Sequence, residues 1–242
     1  MIPIILDFTV SDVLNLTTTF LVSYLFGSIP FAYLIVKMVN GENITTHGSG
    51  NVGAMNVRRT TDSWGWFTVA MVADALKGFI PVIAAFFLAG WNVGPSDLMA
   101  RLTIEGLSEF DVTRIAMQAG VFGAVMGHNY SLFMAFFRQR FARTGKGLAT
   151  GAGALLAYDW RYFIAVVVIG LATIAITRYM MAGQVAGAAT LPSAALVLGS
   201  PDWPFALGMG LLVYVAHHKR FIGMLRGREP KFYVNDSMGP RG

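Results

Sequence analysis

Seven apolar segments, near residues 17–39, 64–89, 113–137, 147–158, 160–177, 182–199 and 203–217, constrain this chain more than any other feature. Most approach the roughly 20 residues that a helix needs to cross ~30 Å of hydrocarbon. A transmembrane β-barrel would instead show short segments of alternating polarity, and the sequence has none. Composition agrees: 55% of the 242 residues are hydrophobic and 13% are charged, against roughly 25% charged in an average soluble domain. The expected fold is an all-α, polytopic membrane bundle of about seven transmembrane helices. The fourth segment is short and rich in Gly and Ala, which suits a half-helix or a span completed by the preceding loop. Pro192 interrupts the sixth, so a count of six is the alternative.

Charge sets the orientation. With the N-terminus outside, the inner segments hold Lys37, Arg58, Arg59, Arg138, Arg140, Arg143, Lys146, Arg178, Lys219, Arg220, Arg226, Arg228, Lys231 and Arg241. The outer segments hold Arg101, Arg114 and Arg161, and Lys77 falls within a span. Fourteen against three places the C-terminus in the cytoplasm by the positive-inside rule. Acidic residues Asp97, Glu105, Glu109 and Asp111 gather in the outer loop, and Trp64, Trp66, Trp160 and Trp203 lie near span ends as interfacial anchors. The net charge of +5 is thus concentrated on one face, where it can meet anionic headgroups or a phosphorylated substrate. Asp7 and Asp12 occupy the start with no Lys or Arg beside them, so no signal-peptide n-region is present and the first span is expected to be retained. Without cysteine there is no disulfide framework or thiolate metal site.

The chemistry concentrates on that same inner face. Thr45–Arg59, T-T-H-G-S-G-N-V-G-A-M-N-V-R-R, is a polar, Gly-rich loop between apolar runs. Gly48, Gly50 and Gly53 let the backbone approach a ligand, Ser49, Asn51 and Asn56 add short hydrogen-bonding side chains, and Arg58 and Arg59 supply charge for a phosphate. A second element, Thr144-Gly145-Lys146-Gly147, opens the short fourth helix. Free N–H groups and the positive end of the helix dipole favour an anion there, and Lys146 adds a full charge. It is not a Walker A loop, because the first glycine is missing and Gly147 follows the lysine. A basic turn obeying the positive-inside rule accounts for Lys146 about equally well. The third element runs from His217-His218 to Glu229-Pro230-Lys231.

Asp74 and Lys77 share one helical face inside the second span. Each would cost roughly 2.5–3.5 kcal/mol at the bilayer centre, so the two are expected to pair within the bundle, as a structural ion pair or as support for the site. His128, deep in the third span, reads as a hydrogen-bonded core residue. The four histidines lack metal-type spacing, and no G-x-S-x-G elbow is present to activate a serine, so neither a metal nor an acyl-serine is expected. Basic residues scattered among membrane loops leave no room for a nucleic-acid module.

Taken in order, G-S-I-P (27–30), G-S-G-N-V-G-A-M-N-V-R-R (48–59), D-A-L-K-G (74–78), G-H (127–128), G-K-G-L-A-T (145–150), H-H (217–218) and E-P-K (229–231) resemble the acyl-phosphate-dependent glycerol-3-phosphate acyltransferases, bacterial integral membrane enzymes. The resemblance covers roughly residues 20–232 and implies one membrane-embedded domain over 1–232 with a flexible cytoplasmic tail at 233–242. It also implies a seven-helix bundle in the bacterial cytoplasmic membrane, with its active site on the cytoplasmic side. The implied reaction moves a fatty acyl group from acyl phosphate to the 1-hydroxyl of glycerol 3-phosphate, giving lysophosphatidic acid for phospholipid synthesis, without a cofactor. Carried over by position, Ser49, Asn51, Gly53, Asn56 and Arg59 match the family's first motif. Gly145, Lys146 and Gly147 match the second, and His217, Glu229 and Lys231 the third.

The implied site therefore has Ser49, Arg59, Lys146 and His217 as catalytic groups. Gly48, Gly50, Asn51, Gly53, Asn56, Gly145, Gly147, Arg220 and Glu229 bind substrate, supported by Asp74 and Lys77. His217 serves as a general base or orients the acceptor. The chain departs from the family pattern at Met55, at Thr144 with the extra residues before it, at Met180 or Met181, and at Arg220. Met181 and Arg220 stand where a serine and an asparagine are expected, which makes a different acceptor the first alternative. A non-catalytic binder or transporter of lipids or phosphate esters is the second. Oligomeric state stays open.

Overall fold

The structure, a computed structural model, describes residues 9–89 and 112–228. The acidic outer loop, Glu229, Lys231 and the expected tail lie outside the described residues. Within them the regular elements are ten α-helices and one 3₁₀ turn, Ile44–Thr46. The helices are α1 (Val10–Gly27), α2 (Phe31–Asn40), α3 (Ala54–Thr61), α4 (Trp64–Ala89), α5 (Val112–Asn129), α6 (Leu132–Arg138), α7 (Leu148–Tyr158), α8 (Trp160–Thr177), α9 (Met180–Val197) and α10 (Trp203–Leu225). Stretches Val10–Asn40, Trp64–Leu88, Trp160–Thr177 and Met180–Val197 are long and apolar enough to cross a membrane.

Two apolar segments that read as single spans are broken. The first divides into α1 and α2 at Ser28–Pro30. Proline has no N–H to donate and disfavours helix at the residue before it, so the helix restarts after Pro30. Carbonyls released at this break must be satisfied internally in a membrane. Lys77 Nζ donates to Ile29 O at 2.8 Å, and the Ser131 hydroxyl donates to Ser28 O. The third segment breaks at Tyr130-Ser131 into α5 and α6, with Ser131 Oγ capping α6 by accepting from Met134 N at 3.1 Å. The second break thus helps to satisfy the first.

Conversely, the sixth segment is not interrupted. α9 runs through Pro192, and Gly210 of α10 packs against Ala188 O, the carbonyl that a residue with an N–H at 192 would have bonded. The fourth segment is a half-helix: at about 1.5 Å per residue, the 11 residues of α7 reach roughly 17 Å, about half the hydrocarbon thickness.

Close backbone approach holds α7 against α4. A Cβ on Gly153 would lie 1.9 Å from Ala75 O, and one on Gly78 would lie 2.0 Å from Thr150 O. Helices in a bilayer associate through dispersion contacts, so small residues at crossings let the backbones meet. α1 lies against α5 in the same way, Gly127 facing Tyr24 O. The main core gathers Val82, Phe86, Met117, Val121, Leu155, Tyr162, Leu191 and Phe205 from six helices. A second, smaller core joins Ile35, Val36, Ile44, Val52, Val57 and Met134, and it underlies the glycine-rich loop.

Where α7 turns into α8, Arg114 and Arg161, counted in the sequence only as outer charges, take part in a polar network with aspartates. Arg114 Nε donates to Asp202 Oδ1 at 2.7 Å and its Nη2 to Oδ2. Gln118 donates to Asp202 Oδ1 at 3.0 Å, and Arg161 grips Asp159, the residue that ends α7 and caps α8. Asp202 has no exposed surface. Removing one partner of a buried pair leaves the other charge uncompensated, so Asp202→Ala is expected to destabilise the fold by about 3–5 kcal/mol. Thermal unfolding in detergent will show it as a lowered midpoint.

Candidate active site

The glycine-rich loop is shaped from within. Asn56, buried on the first turn of α3, accepts from Ser49 N at 3.1 Å through Oδ1, and its Nδ2 donates to Ile44 O and His47 O at 3.0 Å each. The amide expected to meet substrate instead holds the fold of its own loop. Gly48 and Gly50 take positive φ, 54° and 64°, whereas Gly53 is extended. Ser49 and Arg59 lie at the exposed side of this loop. The Arg59 side chain crosses Gly48 closely: a Cβ there would lie 3.3 Å from Arg59 Cδ.

Three segments distant in sequence converge here. Val52 N donates to Thr144 O at 2.8 Å, stapling the glycine-rich loop to the Gly-Lys-Gly loop, and Arg138 Nη2 donates to Gly50 O at 3.3 Å. Thr144 is held in turn by its N–H on Asn129 O at 2.8 Å and its hydroxyl on His128 O at 2.9 Å. Gly147 then caps α7 with φ 71° and no side-chain bond, so the first-turn N–H groups have no capping side chain to accept from them. From α10, His217 lies within the field of Lys146, Arg143 and Arg220. Partial desolvation, together with the neighbouring Arg220 guanidinium, holds Arg59 below the ordinary arginine value. Like charges gathered this closely repel one another unless an anion sits among them.

His217 is buried. Its Nδ1 bonds Val213 O at 2.8 Å, and because a carbonyl only accepts, Nδ1 carries the proton. Nε2 then presents a lone pair, and it is buried with no protein partner.

Beneath the Gly-Lys-Gly loop lies the expected ion pair. Lys77 Nζ is 2.9 Å from Asp74 Oδ1, both side chains being 3% exposed. Asp74 Oδ1 is 3.8 Å from His128 Nδ1, which also bonds Thr150 Oγ1 at 3.1 Å. The His128 ring is the floor of the loop, since a Cβ on Gly145 would lie 2.1 Å from its Nε2. His128 is thus the hydrogen-bonded core residue that the sequence suggested, and it links the ion pair to the loop. Met181 is fully buried in α9. Arg138 and Arg143 were counted only as loop charges, and their main-chain partners carry no sequence signal.

The fold defines a polytopic helical membrane protein, and cations and a histidine with an unpartnered nitrogen lie near its two glycine-rich loops. The chain belongs to the glycerol-3-phosphate acyltransferase family, whose profile matches residues 17–227. A glycerol-3-phosphate acyltransferase of Thermus thermophilus is 36% identical over 215 residues, covering 87% of this chain and 92% of its own. That of a Jannaschia species is 32% identical over 232 residues, covering 96% and 98%. In structure the chain is similar to PlsY, an integral membrane glycerol 3-phosphate acyltransferase, in its glycerol 3-phosphate form. The TM-score is 0.68 at 25% identity, over 93% of this chain and 96% of that one. Against the lysophosphatidic acid form the TM-score is 0.66. The activity of this family is glycerol-3-phosphate acyl transfer, and the chain is an integral membrane protein of that kind.

Proposed function

We propose that the donor is acyl phosphate and the product lysophosphatidic acid, formed at the cytoplasmic face of the bacterial cytoplasmic membrane. The observation that carries this reading is the gathering of charge at these loops: Arg220 beside Arg59, and Lys146, Arg143 and Arg220 within the field of His217, whose Nε2 is buried without a protein partner. Donor and acceptor each bring a phosphate, which needs two anion sites. Backbone N–H groups of the glycine-rich loop and the α7 N-terminus serve one, and the Arg and Lys side chains serve the other. The fatty chain lies among the helices while the water-soluble acceptor enters from the loops.

The acceptor 1-hydroxyl attacks the acyl carbonyl carbon, forming the ester C–O bond as the bond to phosphate breaks. The electron pair leaves on inorganic phosphate, which also takes the hydroxyl proton. Phosphate is a good leaving group, so positioning and charge neutralisation suffice without a covalent enzyme intermediate. His217 Nε2 accepts a hydrogen bond from the acceptor's 2-hydroxyl and so aims the neighbouring 1-hydroxyl. Ser49 lies at the donor side as a hydrogen-bonding group. The cytoplasmic placement rests on Arg58, Arg59, Arg138, Arg140, Arg143 and Lys146 sharing the loop end, opposite Arg114 and Arg161.

The test supplies purified protein with acyl phosphate and a panel of polyol and phosphorylated acceptors, and follows phosphate release and ester formation. No turnover with glycerol 3-phosphate, but turnover with another acceptor, would transfer the assignment to that acceptor. Such a result would fit Arg220 and Met181. Binding without turnover would make the chain a carrier. His217→Ala is expected to lower kcat roughly 10²-fold, the cost of a misplaced nucleophile, with a smaller change in KM, since the phosphate sites remain.

A further inference from the structure

We propose that Arg143 is a positioning residue that locks the Lys146 loop to the His217 helix. Its Nε donates to Gly145 O at 3.0 Å, and its Nη1 donates to Ala216 O. Each acceptor belongs to the residue immediately before a proposed site residue, Lys146 in one case and His217 in the other. One guanidinium therefore ties together the main chains that carry the two.

The fold needs such a tie at this end. α10 packs along α9, and its far end joins the bundle through Arg114–Asp202 and through Phe205 against Phe122 and Tyr158. His217 is 15 residues from Asp202, roughly 22 Å along the helix, too far for those contacts to set its distance from Lys146. Arg143 sets it locally. Its own backbone is steadied by the next residue, since Thr144 makes the bonds to Asn129, His128 and Val52 described above.

Holding Gly145 O also fixes the plane of the Gly145–Lys146 peptide. In a trans peptide the C=O and N–H point in opposite directions, so the bond from Arg143 turns the Lys146 N–H away from itself. Only arginine fills this role, because its planar fork offers donors on separate edges in a fixed geometry. A lysine ammonium is a compact charge on a flexible stem.

The inference rests on the proposed pairing of Lys146 and His217, and its test has two arms. In the kinetic arm, Arg143→Lys and Arg143→Gln are compared with wild type at saturating acyl phosphate. Both are expected to lose about 10- to 100-fold in kcat, the scale of a small misplacement of reacting groups, while KM for glycerol 3-phosphate stays within about twofold. If Arg143 were only another attracting charge, Arg143→Lys would keep wild-type kcat and Arg143→Gln would raise KM, and that result overturns the proposal.

The second arm does not depend on turnover. Because the chain has no cysteine, spin labels on Arg140→Cys and Lys219→Cys report the loop-to-helix distance without background. A narrow distribution that broadens with Arg143→Gln supports the tie, and one that is unchanged overturns it. Absence of turnover in the wild type would count against the proposed function and leave this arm to decide on Arg143.

Discussion

Arg59→Ala is expected to reduce acyl transfer by about 10²–10³-fold, the cost of removing one preorganised charge from a transferring centre. Arg59, in α3, lies over Gly48 beside Arg220, against a loop whose shape comes from Asn56 and not from Arg59 itself. The variant should therefore fold with an unchanged melting midpoint and lose chemistry. Arg59→Lys is expected to recover part of the rate, because an ammonium restores charge but not paired donation to two phosphate oxygens. Lys146→Ala, made at the α7 N-terminus, should show a loss of similar size. Initial rates of phosphate release at saturating donor, with circular dichroism and melting curves as controls, measure both. Full activity in Arg59→Ala would remove it from the site.

A second large effect is structural. Gly153→Ala is expected to destabilise the bundle by about 3 kcal/mol or more, because its Cβ would lie 1.9 Å from the Ala75 carbonyl. That contact is with main chain of α4, so no side chain can rotate away, and the helices must separate. Separation would also pull α7 from Thr150 upward and displace the Lys146 loop, so activity and stability should fall together. A matched control lies two residues earlier. A Cβ on Gly151 would meet only Val125 Cγ2, at 3.7 Å. Gly151→Ala should thus be stabilising by roughly 0.5–1 kcal/mol, through helix propensity alone. Melting midpoints of the two variants in the same detergent decide it. Equal stability would mean that the α4–α7 crossing is looser than the backbone geometry implies.

Asn56 shows how far residue types carried the site. Its place in S-G-N-V-G-A-M-N marked it as important, yet its amide bonds three main-chain groups of its own loop. Sequence spacing told that the residue belongs to the loop but not which way the amide turns. Lys77 shows the same division. Its depth in a span required a partner, and Asp74 three residues earlier was the obvious one. The bond to Ile29 O came from a break in another helix, and that break was signalled only by Pro30. Arg114 and Arg161 carried no sign of their partners, because charge near a span end looks the same whether it meets water or an aspartate 88 positions away. Pro192 misled in the other direction, since α9 continues through it.

By itself the sequence determined that the chain is a helical membrane bundle, and it singled out basic loops, two glycine-rich segments and a histidine as candidates for anion chemistry. These properties are local or additive: apolar length, charge count, and backbone freedom at glycine. Tertiary structure alone decided that Val52 staples one loop to the other and that His128 floors the Gly-Lys-Gly turn. It also decided that Nε2 of His217 is buried without a protein partner, and that Arg143 bonds the main chain at both Gly145 and Ala216. Such contacts arise where a buried donor or acceptor must find a partner, and which one it finds depends on how the helices cross.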